Sequence, residues 1–150
     1  MSAFRFRLAT LLKMREAVRD QRRAALAEAL HAIALLDEQL NRLRSDLGDQ
    51  KQQLHAAARP GRVDVDRLLE AQRYEFVLLG EITRLSQQRQ TVSTEAENRR
   101  EALVVADREV KVLEKLREKQ QLRQRAQDER EDIKRFDEIA GRIGAVEGAF

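Results

Sequence analysis

Starting at Leu26, apolar side chains recur at Ala29, Ile33, Leu36, Leu40, Leu43, Leu47 and, past a polar Gln50, at Leu54, in alternating steps of three and four. Such steps average 3.5 residues, the repeat that keeps one face of an α-helix turned toward a partner helix in a left-handed coiled coil. Carried toward the N-terminus, the same phase meets Leu12 and Leu8 but also Arg15, Arg19 and Arg22. The seam must therefore loosen there, or pass to the neighbouring stripe of Leu11, Met14, Val18 and Ala25. A second seam of the same period follows: Ile82, Leu85, Arg89, Val92, Ala96, Arg99, Leu103, Ala106, Val110 and Leu113.

Between the two seams stands HAAARPGRVD, residues 55–64, with the chain's only proline and a glycine directly behind it. Proline stops a helix and restricts its predecessor, glycine adopts backbone angles that other residues avoid, and Asp64 or Asp66 can cap the helix that follows. The expected fold is all-α, a single domain over 1–150 forming a long two-helix antiparallel coiled-coil hairpin. Helix 1 is expected over about 4–58, the turn over about 59–63, helix 2 over about 64–140, and a frayed tail over 141–150. A turn centred near 60–62 pairs position i with a position near 122 minus i, within about half a heptad. Leu40 then falls beside Ile82 and Leu85, Leu26 beside Ala96, and Leu12 beside Val110 and Leu113. At about 1.5 Å per residue the two arms measure roughly 80 and 110 Å, so the C-terminal helix overhangs.

Past Leu113 the phase lands on Arg117, Gln120, Gln124 and Gln127, where the first helix has no more residues to offer. A different stripe then begins: Leu122, Ala126, Ile133, Phe136, Ala140 and Ile143, with Glu129 completing the spacing. Nothing in the hairpin covers this stripe, and an unpaired apolar face on a charged helix usually belongs to another molecule. It also offers a means of closing a homodimer, in solution or in a crystal, or of packing back on the N-terminal residues. Charge is unevenly placed as well. Residues 1–23 carry seven basic and two acidic groups, and residues 128–138 six acidic and three basic, so these ends can attract each other or oppositely charged partner surfaces.

Composition suits rods better than a round core, with 42% hydrophobic and 37% charged residues but only 4% aromatic. Basic and acidic totals of 29 and 26 leave a net charge of +3 without a basic face interleaved with aromatics, so no nucleic-acid partner is expected. No apolar run approaches the ~18 residues of a membrane span, so neither a signal peptide nor direct membrane insertion is expected. The absence of cysteine excludes a disulfide framework and thiolate metal sites, and suits a reducing cytosol. His31 and His55 lie too far apart to share a ligand site, and no phosphate-binding loop or nucleophile elbow occurs. Carboxylates are plentiful, but a rod has no pocket in which to shift their pKa values. No enzyme, cofactor or metal site is expected, and function must sit on surfaces.

The opening FRFRLATLLKMRE, Phe4 to Glu16, resembles the F-x-F-R-L-x-x-L-L-x-x-R opening of the FliJ family of flagellar type III export proteins. EREDIKRFDEIAGR, Glu129 to Arg142, resembles the family's acidic closing stretch with its D-E-x-A ending, here Asp137, Glu138 and Ala140. REVKVLEKLREK, Arg108 to Lys119, is similar to the mixed basic and acidic run before it. The likeness covers nearly the whole chain, in the right order around the central turn.

The resemblance implies a non-enzymatic central stalk, similar to the rotor stalk of rotary ATP synthases. The end carrying both termini would enter the hexameric export ATPase ring, the opposite part would reach the cytoplasmic domain of a membrane-embedded export gate, and empty export chaperones would be further partners. On this reading the ATPase-facing residues are Phe4, Arg7, Leu8, Leu11, Arg15, Leu122, Ile133, Phe136, Asp137, Glu138 and Ala140. The gate-facing residues are Gln39 and Leu43 in DEQLNRL and Tyr74 and Leu78 in YEFVLLGEI, while Asp46, Gln50, Glu81 and Leu85 depart from the aromatic, small or imidazole side chains relatives can show. Leu43 and Leu78 also lie at or beside the seam, where a core role is expected first. The implied location is cytoplasmic, peripheral at the cytoplasmic face of the inner membrane. The alternatives are a generic cytoplasmic coiled-coil scaffold whose overhangs pair into a homodimer, and the equivalent stalk of a virulence secretion system.

Overall fold

The computed structural model describes residues 3–58, 61 and 64–149. Two helices dominate it, α1 over Ala9–Ala57 and α2 over Val65–Glu147, and there is no strand among the described residues. They pack against each other as a helical hairpin, and their contacts fall into two units. Unit 1 joins Met1–Asp20 to Val104–Phe150, and unit 2 spans Gln21–Leu103. Of the expected turn at 59–63, only Gly61 is among the described residues; Arg59, Pro60, Arg62 and Val63 lie outside them. Gly61 has φ 135°, a conformation that a Cβ would strain, which is the reason for glycine here. Asp64 is the N-cap of α2: its Oδ1 accepts the Asp66 backbone N–H at 3.2 Å, and its carbonyl accepts the Leu68 N–H at 3.1 Å.

In unit 2 the buried side chains are Ala29 and Leu40 from α1 and Leu78, Leu85 and Ala96 from α2, with Leu40 only 2% exposed. Leu26, Ile33, Leu36, Leu43, Ile82, Val92 and Leu103 are half-buried between them. Two arginines share this seam. A seam one side chain wide lets arginine bury its aliphatic stem and turn its guanidinium outward to the facing helix. Arg89 does so onto both carboxylate oxygens of Asp37, Nη2 lying 3.3 Å from Oδ2. The hydrogen bond from Arg89, with its charge, holds the Asp37 carboxyl below the usual carboxylate range and raises the guanidinium in turn. Arg99 donates to the Ala25 carbonyl at 2.6 Å and pairs with Glu95 at 3.0 Å and Glu28 at 3.6 Å.

Unit 1 is built around Phe6, Leu12 and Val110, with Phe4, Leu113 and Leu116 packed against them; Val110 is 1% exposed. Leu12 meets Val110, the partner that the 122-minus-i register assigns to it. Arg15 meets Glu109 at 2.7 Å, two residues beyond that register, and Asp37 meets Arg89, four beyond, as long side chains reaching along a helix allow. The arginine-bearing phase is kept rather than abandoned: Arg15 and Arg19 are half-buried alongside Leu11, Val18 and Ala25, whereas Arg22 and Met14 are exposed.

Two helix ends differ from expectation. α1 begins at Ala9, not near residue 4, and residues 3–6 are not helical. On a helix Phe4 and Phe6 would point about 200° apart, whereas extended backbone places alternate side chains on one side. Here both phenylalanines pack on the Leu12–Val110 cluster while Arg5 and Arg7 are exposed. At the other end, α2 runs through Gly141 and Gly144 to Glu147, past the expected limit near 140. Each helical glycine costs about 1 kcal/mol relative to alanine, but neither removes a hydrogen-bond donor as proline would. Gly148 then closes the helix by donating to the Gly144 carbonyl at 3.0 Å.

Candidate functional site

All eleven side chains expected to face an ATPase belong to unit 1, and the structure separates them into two kinds. Phe4, Leu11 and Arg15 are half-buried; Phe4 belongs to the N-terminal cluster, and Arg15 is held by Glu109. Arg7, Leu8, Leu122, Ile133, Phe136, Asp137, Glu138 and Ala140 are exposed. On α2 the exposed apolar residues keep the heptad spacing from Leu122 to Ile143, and Phe136 is 73% exposed. Ile139 and Val146 stand exposed beside this row and widen it. Apolar side chains in one register, interrupted only by Glu129 and left to water along about six turns of helix, form a surface built for burial against another helix or a groove.

The four gate-facing candidates belong to unit 2. Gln39 and Tyr74 are exposed, Leu43 is half-buried, and Leu78 is 4% exposed and fully engaged in the seam. Tyr74 lines a groove with Gln50, Leu54, Ala57, Leu68 and Ala71, where the two helices approach the turn. Of the four, Gln39 and Tyr74 are the side chains that a partner can touch without opening the hairpin.

Two further features of the structure lie outside the side chains expected to face partners. Phe6 is one of the anchors of unit 1, and its signal was the alternation Phe4-Arg5-Phe6-Arg7. In unit 2 an outward row of Val65, Leu69, Phe76 and Leu79 lies on α2 away from Leu78 and Leu85, with Phe76 79% exposed. Its steps of four, seven and three fit a heptad interrupted only by Gln72, so it was present as a second period beneath the first seam.

No group of three or more His, Cys, Asp or Glu side chains able to hold a metal ion occurs among the described residues, and no described helix is long and apolar enough to cross a membrane. His31 and His55 are exposed.

No curated protein sequence and no solved structure matches the chain. Residues 4–148 match the family described as the flagellar FliJ protein, from the phenylalanine that opens the N-terminal arm to the glycine that closes α2. The chain therefore belongs to the flagellar FliJ protein family, whose members are components of flagellar protein export.

Proposed function

We propose that the chain is a non-catalytic stalk of the flagellar export apparatus. It inserts unit 1 into a hexameric export ATPase ring, promotes assembly and hydrolysis there, and links the ring to the membrane export gate and to export chaperones. It works in the cytoplasm, at the cytoplasmic face of the inner membrane. The observation that carries this reading is the open heptad stripe from Leu122 to Ile143, in a chain of this family with both terminal segments in one unit. A ring with a central hole offers such a stripe a surrounding wall, while Arg7 and the acidic residues Asp137 and Glu138 supply charges for its rim. Gate contact falls to the exposed Gln39 and Tyr74, with Leu43 and Leu78 setting the backbone that presents them.

The test is addition of the purified protein to its cognate ATPase. Hydrolysis rate and the hexamer fraction are both expected to rise; unchanged rate and unchanged oligomer size would overturn the stalk reading. Phe136→Asp is expected to weaken ATPase binding while helix content stays the same. An equal loss of helicity and binding would assign Phe136 to the chain's own packing.

A further inference from the structure

The stripe of α2 places Ala126, Ile133 and Ala140 at heptad a positions, and Leu122, Glu129, Phe136 and Ile143 at d. The flanking positions then bring Arg123, Arg130 and Asp137 at e, and Arg125 and Asp132 at g, to the edges of any helix laid on the stripe. Among the described residues none of these five makes an ion pair within the chain. Their signs discriminate between the ways in which a second copy can lie there. A parallel copy puts Glu129 on Glu129, Arg125 against Arg130 and Asp132 against Asp137, all of like sign, and offers only Glu118 against Arg123, at the edge of the stripe, in return. An antiparallel copy has three registers within one heptad of the centre. With Ile133 facing Glu129, Arg123 meets Asp137, but Arg130 meets Arg130, Asp132 meets Asp132, and each Glu129 is laid on Ile133. With Ile133 facing Ile143, Asp137 meets Asp137 and Glu129 meets Glu147. With Ile133 facing Phe136, Arg130 meets Asp137 twice, Ala126 lies on Ile143, and no like charges meet.

From this we infer that α2 carries a self-docking site over residues 122–147, and that its occupant is the same segment of a second copy, antiparallel, with Ile133 on Phe136 across the two-fold axis. Such an interface is isologous, so each favourable contact occurs twice. The aliphatic stem of Arg125 lies over Val146 of the second copy, and Ile139 over the edge of Asp132, which brings the exposed apolar residues at g under cover. The dimer holds the open stripe out of water when no other partner does, and a partner that needs the stripe must first separate the copies.

The test uses the full chain alone, without ATPase, so it stands or falls separately from the stalk reading. Sedimentation velocity is expected to show a concentration-dependent monomer–dimer equilibrium. Asp137→Arg and Arg130→Asp are each expected to weaken dimerisation by about tenfold or more, and the double exchange to restore it, with helix content constant throughout. Because the chain has no cysteine, Ala126→Cys mixed with Ile143→Cys should form disulfide-linked pairs under mild oxidation, whereas Ala126→Cys alone should not. A chain that stays monomeric at high concentration overturns the inference, as does failure of the double exchange to restore association, or a disulfide between two copies of Ala126→Cys.

Discussion

Leu40 and Phe136 both stand on apolar heptad stripes, at a and d respectively, yet one is 2% and the other 73% exposed. Truncating Leu40 strips buried methyl groups and leaves a hole between two helices, so Leu40→Ala is expected to cost about 2–4 kcal/mol in urea unfolding. Phe136→Ala, measured at low protein concentration where the chain is monomeric, should stay within about 0.5 kcal/mol of the parent. An equal loss at both positions would mean that the C-terminal stripe is already covered within one chain. Asp37 sets a pH dependence. Its carboxyl is held low by Arg89, so the folded chain binds this proton less readily than the unfolded chain. The resulting stability is complete above the ordinary aspartate value of about 3.9, and is lost as pH falls through that value toward the lowered folded one. Melting followed by circular dichroism should therefore fall more steeply below about pH 5 for the parent than for Asp37→Asn; parallel curves would show that the pair is not formed in solution.

Among the elements, the N-terminal arm and the end of α2 behave oppositely. The arm is not helical but is anchored by Phe6, whereas the last turns of α2 are helical and exposed throughout among the described residues. Phe6→Ala should speed amide exchange around Leu12 and Val110 by about tenfold or more while leaving Leu40 and Leu85 unchanged, because the loss is local to unit 1. Residues 122–147 should exchange fastest of all the helical segments in the monomer. Both ends show where the sequence was hard to read. The heptad of α1 can be extended on paper to Leu8, which hides the period-two alternation of Phe4 to Arg7. Glycines at 141 and 144 suggest a stop, but a helix already extended for about twenty-one turns tolerates a missing side chain where it would not tolerate a missing donor.

At the scale of the molecule, the two seams and their register were legible because every buried large side chain of the hairpin except Phe6 falls on a 3.5-residue repeat. Spin labels at Leu12→Cys and Val110→Cys should lie within about 15 Å in the monomer, given helix axes about 8–10 Å apart; a long distance would undo the hairpin. The surfaces were less legible. Whether Leu78 faces a partner or the seam depends on which of two overlapping heptads wins, and only packing decides between Leu78 and Phe76. The antiparallel register has one more consequence, which concerns time. Contacts near the turn join segments a few tens of residues apart, whereas Phe6 must wait for Val110, made more than a hundred residues later. During synthesis the first aromatic anchors of the chain are thus the last to be sheltered, and the ribosome-bound nascent protein presents an oily, basic leading end until its closing third emerges. Proteolysis of stalled nascent chains should cut at Phe4–Leu12 until about residue 116 has cleared the exit tunnel.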